Sequence, residues 1–143
     1  MAAGALFFND KNEILIVKPS YKNNWEVPGG VVEENESPLQ ACIREVREEL
    51  GFKMDTIEFL CVDYGRATSQ KSEYLQFIFF GGKLTAKEIS SIRLPKDELA
   101  EYKFATIAES SLLLSASMSK RISLCLAALK EKKGLYLEDA KKV

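Results

Sequence analysis

The 143-residue sequence contains no histidine, and this absence removes several kinds of active site. Without an imidazole there is no Ser-His-Asp triad, no Cys-His dyad and no histidine general base. A zinc site is also disfavoured, because the three cysteines, Cys42, Cys61 and Cys125, are widely spaced and form no paired motif. Any proton transfer must therefore depend on carboxylates, lysine, tyrosine or metal-bound water.

Other features that are missing concern cellular context and partners. No run of about 18 apolar residues occurs, and no basic N-terminal segment precedes an apolar one, so neither a membrane span nor a signal peptide is predicted. The odd cysteine number predicts reduced thiols and a cytoplasmic location. With 20 basic and 21 acidic residues, the chain has no charge excess typical of nucleic-acid binding, although a small anionic substrate stays compatible.

The segment that follows residue 37 carries the signals of a helix with both ends marked. Ser37 is suited to the N-cap, Pro38 to the first helical position, and Gln40 completes a capping box with Ser37. Gly51 is suited to the left-handed residue that closes a helix after Leu50. We therefore predict a helix from Pro38 to Leu50.

Viewed down its axis, this helix has an apolar stripe and an acidic sector. The stripe, predicted to pack on a core, consists of Leu39, Ile43, Val46 and Leu50. The acidic sector holds Glu45, Glu48 and Glu49, whose charges repel one another unless something neutralises them. Arg44 can pair with Glu48, and Glu36 can hold its guanidinium. Because Mg2+ takes oxygen ligands, commonly carboxylates plus substrate phosphates, the sector is a candidate metal site.

Two simpler interpretations compete with a metal site. The acids can be ordinary solvated charges, and Gly29 and Gly30 can form a type II turn after Pro28. Glycine also lets a backbone carbonyl approach a metal or a phosphate closely. The spacing of the acids, and the small residues Ala41 and Cys42 beside them, favour the metal site.

The whole chain, 1–143, is predicted to form one domain with a mixed sheet flanked by helices, an α+β or α/β/α arrangement. Predicted strands are 3–8 and 13–18 as a hairpin, then 31–32, 56–64, 74–80 and 101–106. Gly81 and Gly82 are predicted to end the fifth strand, and 85–97 is predicted as loop. Helices are predicted at 108–114 and 120–133, and the tail after Gly134 is expected to be the least ordered part.

The residues from Gly30 to Phe52 fit the pattern G-x5-E-x7-R-E-U-x-E-E-x-G-U, where U is bulky and apolar, at every fixed position. With Trp25–Gly30 before it, the chain resembles a Nudix hydrolase. The resemblance implies a mixed β-sheet sandwiched between helices. It also implies hydrolysis of a nucleoside diphosphate linked to another group, with Mg2+ or Mn2+ as cofactor. Homodimers are common among such proteins, but no residue here identifies an interface.

The resemblance also implies roles for single residues. The implied metal ligands are Glu45, Glu48, Glu49 and the carbonyl of Gly30, and the implied supporting pair is Arg44 with Glu36. The general base is left open: Glu45 or Glu49 is favoured, and Glu98 is an extra ligand or alternative base. Asp97 and Glu101 are close enough along the chain to compete with Glu98.

Substrate identity is not fixed by the sequence, because no substrate-specific pattern is found after Phe52. The candidate substrate-binding residues are Lys18, Trp25 and Arg66, with Tyr21, Tyr64 and Lys71 as further candidates. For each, plain surface or core packing is an alternative. A nucleotide-sensing module without catalysis is the alternative function, and the complete set of acids favours an enzyme acting on a small nucleotide.

Overall fold

A computed structural model describes residues 1–143, and eight strands of that chain form one mixed sheet. The strands are β1 Ala2–Phe8, β2 Ile14–Pro19, β3 Gly29–Val31, β4 Glu58–Gly65, β5 Tyr74–Lys83, β6 Leu99–Ala105, β7 Leu135–Glu138 and β8 Lys141–Lys142. The helices are α1 Pro38–Leu50, α2 Ala86–Ser90, α3 Ile107–Leu113 and α4 Ala116–Glu131. None of these helices combines the length and apolarity needed to cross a bilayer.

The sheet has the order β6-β2-β1-β5-β4-β7-β8, and β3 pairs with β1 outside this path. The predicted hairpin of β1 and β2 is therefore short: its register begins at Phe8 and Ile14, after which the strands separate. The first residues of β1 pair instead with β3, with Gly4 opposite Gly29, and the other edge of β1 runs parallel to β5. This pairing brings the residues before α1 next to the start of β1.

Hydrophobic side chains cover both faces of the sheet, because successive residues of a strand point to opposite sides. On one face α1 packs over the strands, and this core includes Ala5, Phe7, Leu15, Val46 and Leu50. On the other face lies α4, with Leu6, Phe8, Ile14, Ile122 and Cys125 in that core. The α+β arrangement with helices on both sides of a mixed sheet is thus confirmed.

Helix α1 has the predicted bounds, with Ser37 as N-cap and Gly51 in the left-handed conformation at φ 86°. Its buried face differs from the prediction, because Leu39 is 38% exposed while Ala41 and Cys42 are buried. The small side chains let the helix lie close to β1 and β3. As a result the sector that contains Glu49 faces inward, and the apolar stripe is rotated partly toward solvent.

Two predictions for the middle of the chain need correction. The predicted loop 85–97 contains α2, which begins at the capping box formed by Thr85 and Glu88. Strand β5 does not end at Gly81 and Gly82 but continues to Lys83. Its pairing with β1 shifts register at these glycines, so the strand accommodates the positive φ of Gly82 without ending.

The tail after Gly134 is also more ordered than predicted. Strand β7 extends the sheet in parallel with β4, and Leu137 is fully buried in the core beneath α4. The turn after β7 is held by the backbone N–H of Ala140, which donates to Asp63 Oδ1 at 3.1 Å. All three cysteines are free, and the sulfurs of Cys61 and Cys125 lie 3.2 Å apart.

Candidate active site

The site begins where β3 passes under α1, at a pair of glycines whose missing side chains leave room for the backbone of β1 and for Glu45. Gly29 has a φ of 151°, and a Cβ there would collide with the backbone of Ala3. A Cβ on Gly30 would lie 2.5 Å from the carboxyl carbon of Glu45. The glycines therefore allow a carboxylate of α1 to rest directly against the backbone of β3.

Arg44 organises the carboxylates on the outer side of this site. Its Nε and Nη2 donate to the two oxygens of Glu36 at 2.7 and 3.0 Å, a two-point contact that fixes the guanidinium plane. Its Nη1 donates to Glu45 at 2.9 Å and to Glu48 at 3.3 Å. Hydrogen bonding to Arg44 lowers the pKa of Glu36, and the same contact raises the pKa of Arg44. The arginine thus holds Glu45 in place from one side.

Glu49 lies deeper and receives no help from Arg44. It is 6% exposed, and its Oε1 accepts a hydrogen bond from the backbone N–H of Gly29 at 3.1 Å. Burial raises the pKa of Glu49 to about 8, and the negative charge of Glu45 adds to that rise, while the hydrogen bond from Gly29 opposes it. The floor of the site therefore holds two neighbouring carboxyl groups without a full counter-charge.

The carboxylate oxygens fit a hard divalent cation, although the protein side chains alone do not complete its coordination shell. No group of three or more acidic or thiol side chains has converged on one point, since Glu48 is exposed and directed to Arg44. Mg2+ needs only one or two protein carboxylates when water and phosphate oxygens supply the rest. Glu45 against Gly30 and its neighbour Glu49, which accepts from the N–H of Gly29, are such a pair.

These carboxylates line a cavity of about 830 Å³, whose other lining residues come from strands of the sheet, from the start of α4 and from four connecting segments. The floor consists of Ala3, Gly4, Gly29, Gly30, Glu45 and Glu49, and the walls include Tyr21, Asn24, Trp25, Gln76, Ser115 and Met118. The remaining charged lining residues are Lys22, Glu26, Lys71 and Glu98. A cavity of this size and composition is suited to a nucleotide-sized ligand.

The family model described as NUDIX domain matches residues 1–125. The chain belongs to the Nudix family. It is 39% identical over 88 residues to an 8-oxo-dGDP phosphatase of Danio rerio, covering 57% of this chain and 26% of that relative. It is 35% identical over 57 residues to an RNA pyrophosphohydrolase of Ruthia magnifica, covering 40% of this chain and 32% of the relative. The chain thus spans about a quarter to a third of the length of these relatives.

Solved structures show that the Nudix fold extends over nearly the whole chain. The MutT protein of Methanosarcina mazei Go1 superimposes with a TM-score of 0.72 and 24% identity, covering 92% of this chain and 94% of that protein. At this identity the likeness establishes the fold. It agrees with the mixed sheet and the two helical layers described above.

The structure brings some of the predicted site residues of this Nudix chain together. Glu45, Glu49, Trp25 and Glu98 all line the cavity, while Asp97 and Glu101 do not. Trp25 is half-buried, and the ammonium of Lys103 lies 5.8 Å from its ring centroid. The predicted acid of the 95–99 segment therefore faces the acids of α1 across the cavity.

Two of the predicted substrate-binding residues lie elsewhere. Lys18 is on β2 opposite Glu101 of β6, and it does not line the cavity. Arg66 donates through Nε to Asp139 at 2.7 Å, and its side chain stays beside β7. The structure provides no contact that would support a role for either cation in the cavity.

Several lining residues had no signal in the sequence. Asn24, Gln76, Ser115 and Met118 come from three separate segments, and none lies in a recognisable pattern. Glu26, another lining residue, differs from these four because it lies within the segment that leads to the glycine pair. The others become neighbours only when β5 and the start of α4 reach the same end of the sheet.

Proposed function

We propose that this chain is a metal-dependent hydrolase of the pyrophosphate bond in nucleotides, either nucleoside di- or triphosphates or related compounds. The observation that carries the proposal is the pair of carboxyl groups, Glu45 against Gly30 and Glu49 against Gly29, that line a nucleotide-sized cavity. The names of the two relatives, a nucleotide phosphatase and an RNA pyrophosphohydrolase, lend support to the same chemistry.

The residues proposed to hold Mg2+ or Mn2+ are Glu45, Glu49 and Glu48, with the carbonyl of Gly30. When bound, such an ion supplies a counter-charge for phosphate oxygens and lowers the pKa of a coordinated water. Arg44 holds Glu45 through the 2.9 Å hydrogen bond, so that carboxylate is oriented before any ligand arrives. Glu49 must lose its proton to serve as a ligand, because only the carboxylate is a good metal ligand.

We assign proton acceptance to Glu98. It lines the cavity and its carboxylate makes no hydrogen bond or ion pair with another side chain, so it can accept a proton without breaking such a contact. Glu45 and Glu49, the other candidates for the base, each have an oxygen engaged, with Arg44 and with the backbone of Gly29. Glu98→Gln is expected to lower kcat by about 100-fold or more and to leave KM close to the wild-type value.

Trp25 is proposed to bind the base of the nucleotide. It is the largest aromatic surface of the cavity, and its backbone N–H donates to the carbonyl of Leu113 at 3.3 Å. An aromatic face gains stacking energy with any base. Asn24 and Gln76, on the same cavity lining, can offer amide groups to the edge of that base.

The free state of all three cysteines supports a reducing compartment, and we propose the cytoplasm as the place of action. The structure describes a single chain, and a homodimer stays a prediction. The proposed partner is a small-molecule nucleotide.

The test is a hydrolysis assay with nucleoside di- and triphosphates, nucleotide sugars and dinucleotides, with Mg2+ or Mn2+ supplied and released phosphate or pyrophosphate measured. Glu49→Gln and Glu45→Gln are expected to lower kcat at least 100-fold. Glu131→Gln, the same change at an exposed position at the end of α4, is the matched control and should keep full activity. Nucleotide binding without turnover would reject the hydrolase and favour a sensing module.

A further inference from the structure

The cavity contains two lysines, and only one of them is free of a carboxylate. The Nζ of Lys22 lies 2.9 Å from Glu26, so its charge is already matched. Lys71, in the turn between β4 and β5, forms no ion pair, and its Nζ lies 3.9 Å from the centroid of the Tyr74 ring. Lys71 is therefore the one cavity cation whose charge is available to an anionic ligand.

The turn that carries Lys71 is itself held. The backbone N–H of Thr68 donates to the carbonyl of Lys71 at 2.7 Å, which closes the tip of the turn. An ammonium above an aromatic face gains about 0.5–1 kcal/mol at an exposed site, enough to favour one direction of a flexible side chain. The position of the ammonium therefore depends on the Tyr74 ring.

The Tyr74 ring has little freedom to move. It lies opposite Gly65 across the β4–β5 pair, and a Cβ on Gly65 would collide with the ring. At its other end, the hydroxyl oxygen accepts a hydrogen bond from Nη2 of Arg121 at 3.3 Å. The glycine thus provides a flat surface for the ring, and the arginine fixes the position of its hydroxyl.

Arg121 is fixed in turn by a buried ion pair. Its side chain is 3% exposed and that of Asp63 is fully buried, with Nε and Nη2 both 2.8 Å from Asp63 Oδ2. A buried pair of this kind contributes little net stability but tolerates only one geometry. A series of contacts therefore connects the core beneath α4 with the ammonium of Lys71 in the cavity.

We infer that Lys71 binds a phosphate group beyond the two that flank the cleaved bond, and that Tyr74 is its positioning residue. The inference rests on the proposed hydrolase function. Of the other charged walls, Lys22 and Glu26 neutralise each other and Glu98 repels anions, so an additional phosphate needs the cation at the β4–β5 turn. The preferred substrates are then nucleotides with three or more consecutive phosphates.

The test compares GTP with GDP, each with Mg2+, in steady-state kinetics. Lys71→Met is expected to raise KM for the triphosphate about 10- to 100-fold, with kcat and the KM for the diphosphate within about twofold of wild type. Lys71→Arg should restore most of the affinity because it keeps the charge. The matched control is Lys11→Met. Lys11 lies in the β1–β2 turn, at the end of β1 that is far from the cavity, so this variant should behave as wild type.

The positioning role is tested by Tyr74→Leu. It should raise KM for the triphosphate with little change in kcat, and it should add nothing further in the Lys71→Met background. A merely structural role would instead impair both substrates, with effects that add to those of Lys71→Met.

The inference is overturned if Lys71→Met leaves KM for the triphosphate within twofold, or raises KM for both nucleotides equally. Calorimetric titration with a non-hydrolysable triphosphate separates this result from failure of the proposed function. If the wild type binds the analogue without turnover and Lys71→Met weakens binding, the phosphate site stands and the hydrolase fails. If the wild type neither binds nor hydrolyses any nucleotide, both are rejected.

Discussion

Replacing Glu49 with glutamine is expected to stabilise the metal-free protein at neutral pH. The Glu49 carboxyl group is buried beside Glu45, and its only hydrogen-bond donor is the backbone of Gly29. Glutamine has nearly the same volume, and its amide oxygen can accept the same hydrogen bond. The substitution therefore replaces an acid that must hold a proton to stay buried at neutral pH, and it leaves the packing of α1 intact.

The size of the effect follows from the pKa of Glu49, which burial raises from 4.5 to about 8. Between these values the folded protein holds a proton that the unfolded chain has released, so the free energy of unfolding falls as pH rises. The fall is about 1.4 kcal/mol per pH unit and reaches about 3 kcal/mol at pH 7. Glutamine does not titrate, so the Glu49→Gln variant lacks this decline and is the more stable protein above about pH 5.

The assay is urea unfolding from pH 4.5 to 8.5 in the presence of EDTA, with Glu131→Gln as a control that follows the wild-type curve. Mg2+ at 100 times Kd should narrow the difference between wild type and Glu49→Gln, because ion binding stabilises the wild type by about 2.7 kcal/mol and the variant by less. A wild-type stability that is flat between pH 5 and 8, or a metal-free Glu49→Gln protein that is less stable at pH 7, would refute the reasoning.

Three further substitutions test other contacts of the fold and the site. Arg121→Met leaves the buried carboxylate of Asp63 without its partner and should destabilise the protein by about 3–5 kcal/mol in urea unfolding, a loss partly recovered when Asp63→Asn is added, because the amide removes the charge and keeps an acceptor for Ala140. Gly30→Ala should displace Glu45 and abolish the rise in unfolding temperature caused by Mg2+, and an unchanged rise would contradict the metal site. Trp25→Ala should raise KM for nucleotides about tenfold with kcat nearly unchanged, measured in steady-state kinetics.

Features of the sequence that act over a few residues were predicted well. The ends of α1 follow from Ser37 and Gly51, because caps are local hydrogen-bonding arrangements, and the pairing of Arg44 with Glu48 follows from helical spacing. The capping box at Thr85 was an equally local signal, and it could have predicted α2. Local physics therefore accounts for the part of the site that one helix and the preceding turn provide.

Features that depend on distant residues could not be predicted in this way. Arg66 looked like a free cation in the sequence, but its partner Asp139 is 73 positions away, beyond a tail that itself joins the sheet. Likewise, nothing near β1 in the sequence predicts that β5 becomes its parallel neighbour, which brings Gln76 opposite Ala2 and into the cavity. The motif predicts the part of the cavity floor that Gly30, Glu45 and Glu49 form. The wall residues become neighbours only through the order of the strands in the sheet.

The two buried acids of this chain show why burial alone does not identify a functional carboxylate. Asp63 is completely buried, yet Arg121 and the backbone of Ala140 satisfy it, so a ligand would gain nothing by approaching it. Glu49 is almost as buried, but the nearest arginine, Arg44, donates its hydrogen bonds to other acids. The fold thus supplies no counter-charge for the Glu49 carboxyl group at the edge of a cavity, and burial favours its protonated form. A cation that binds there recovers electrostatic energy that folding alone has not supplied, and this difference distinguishes a binding site from a structural ion pair.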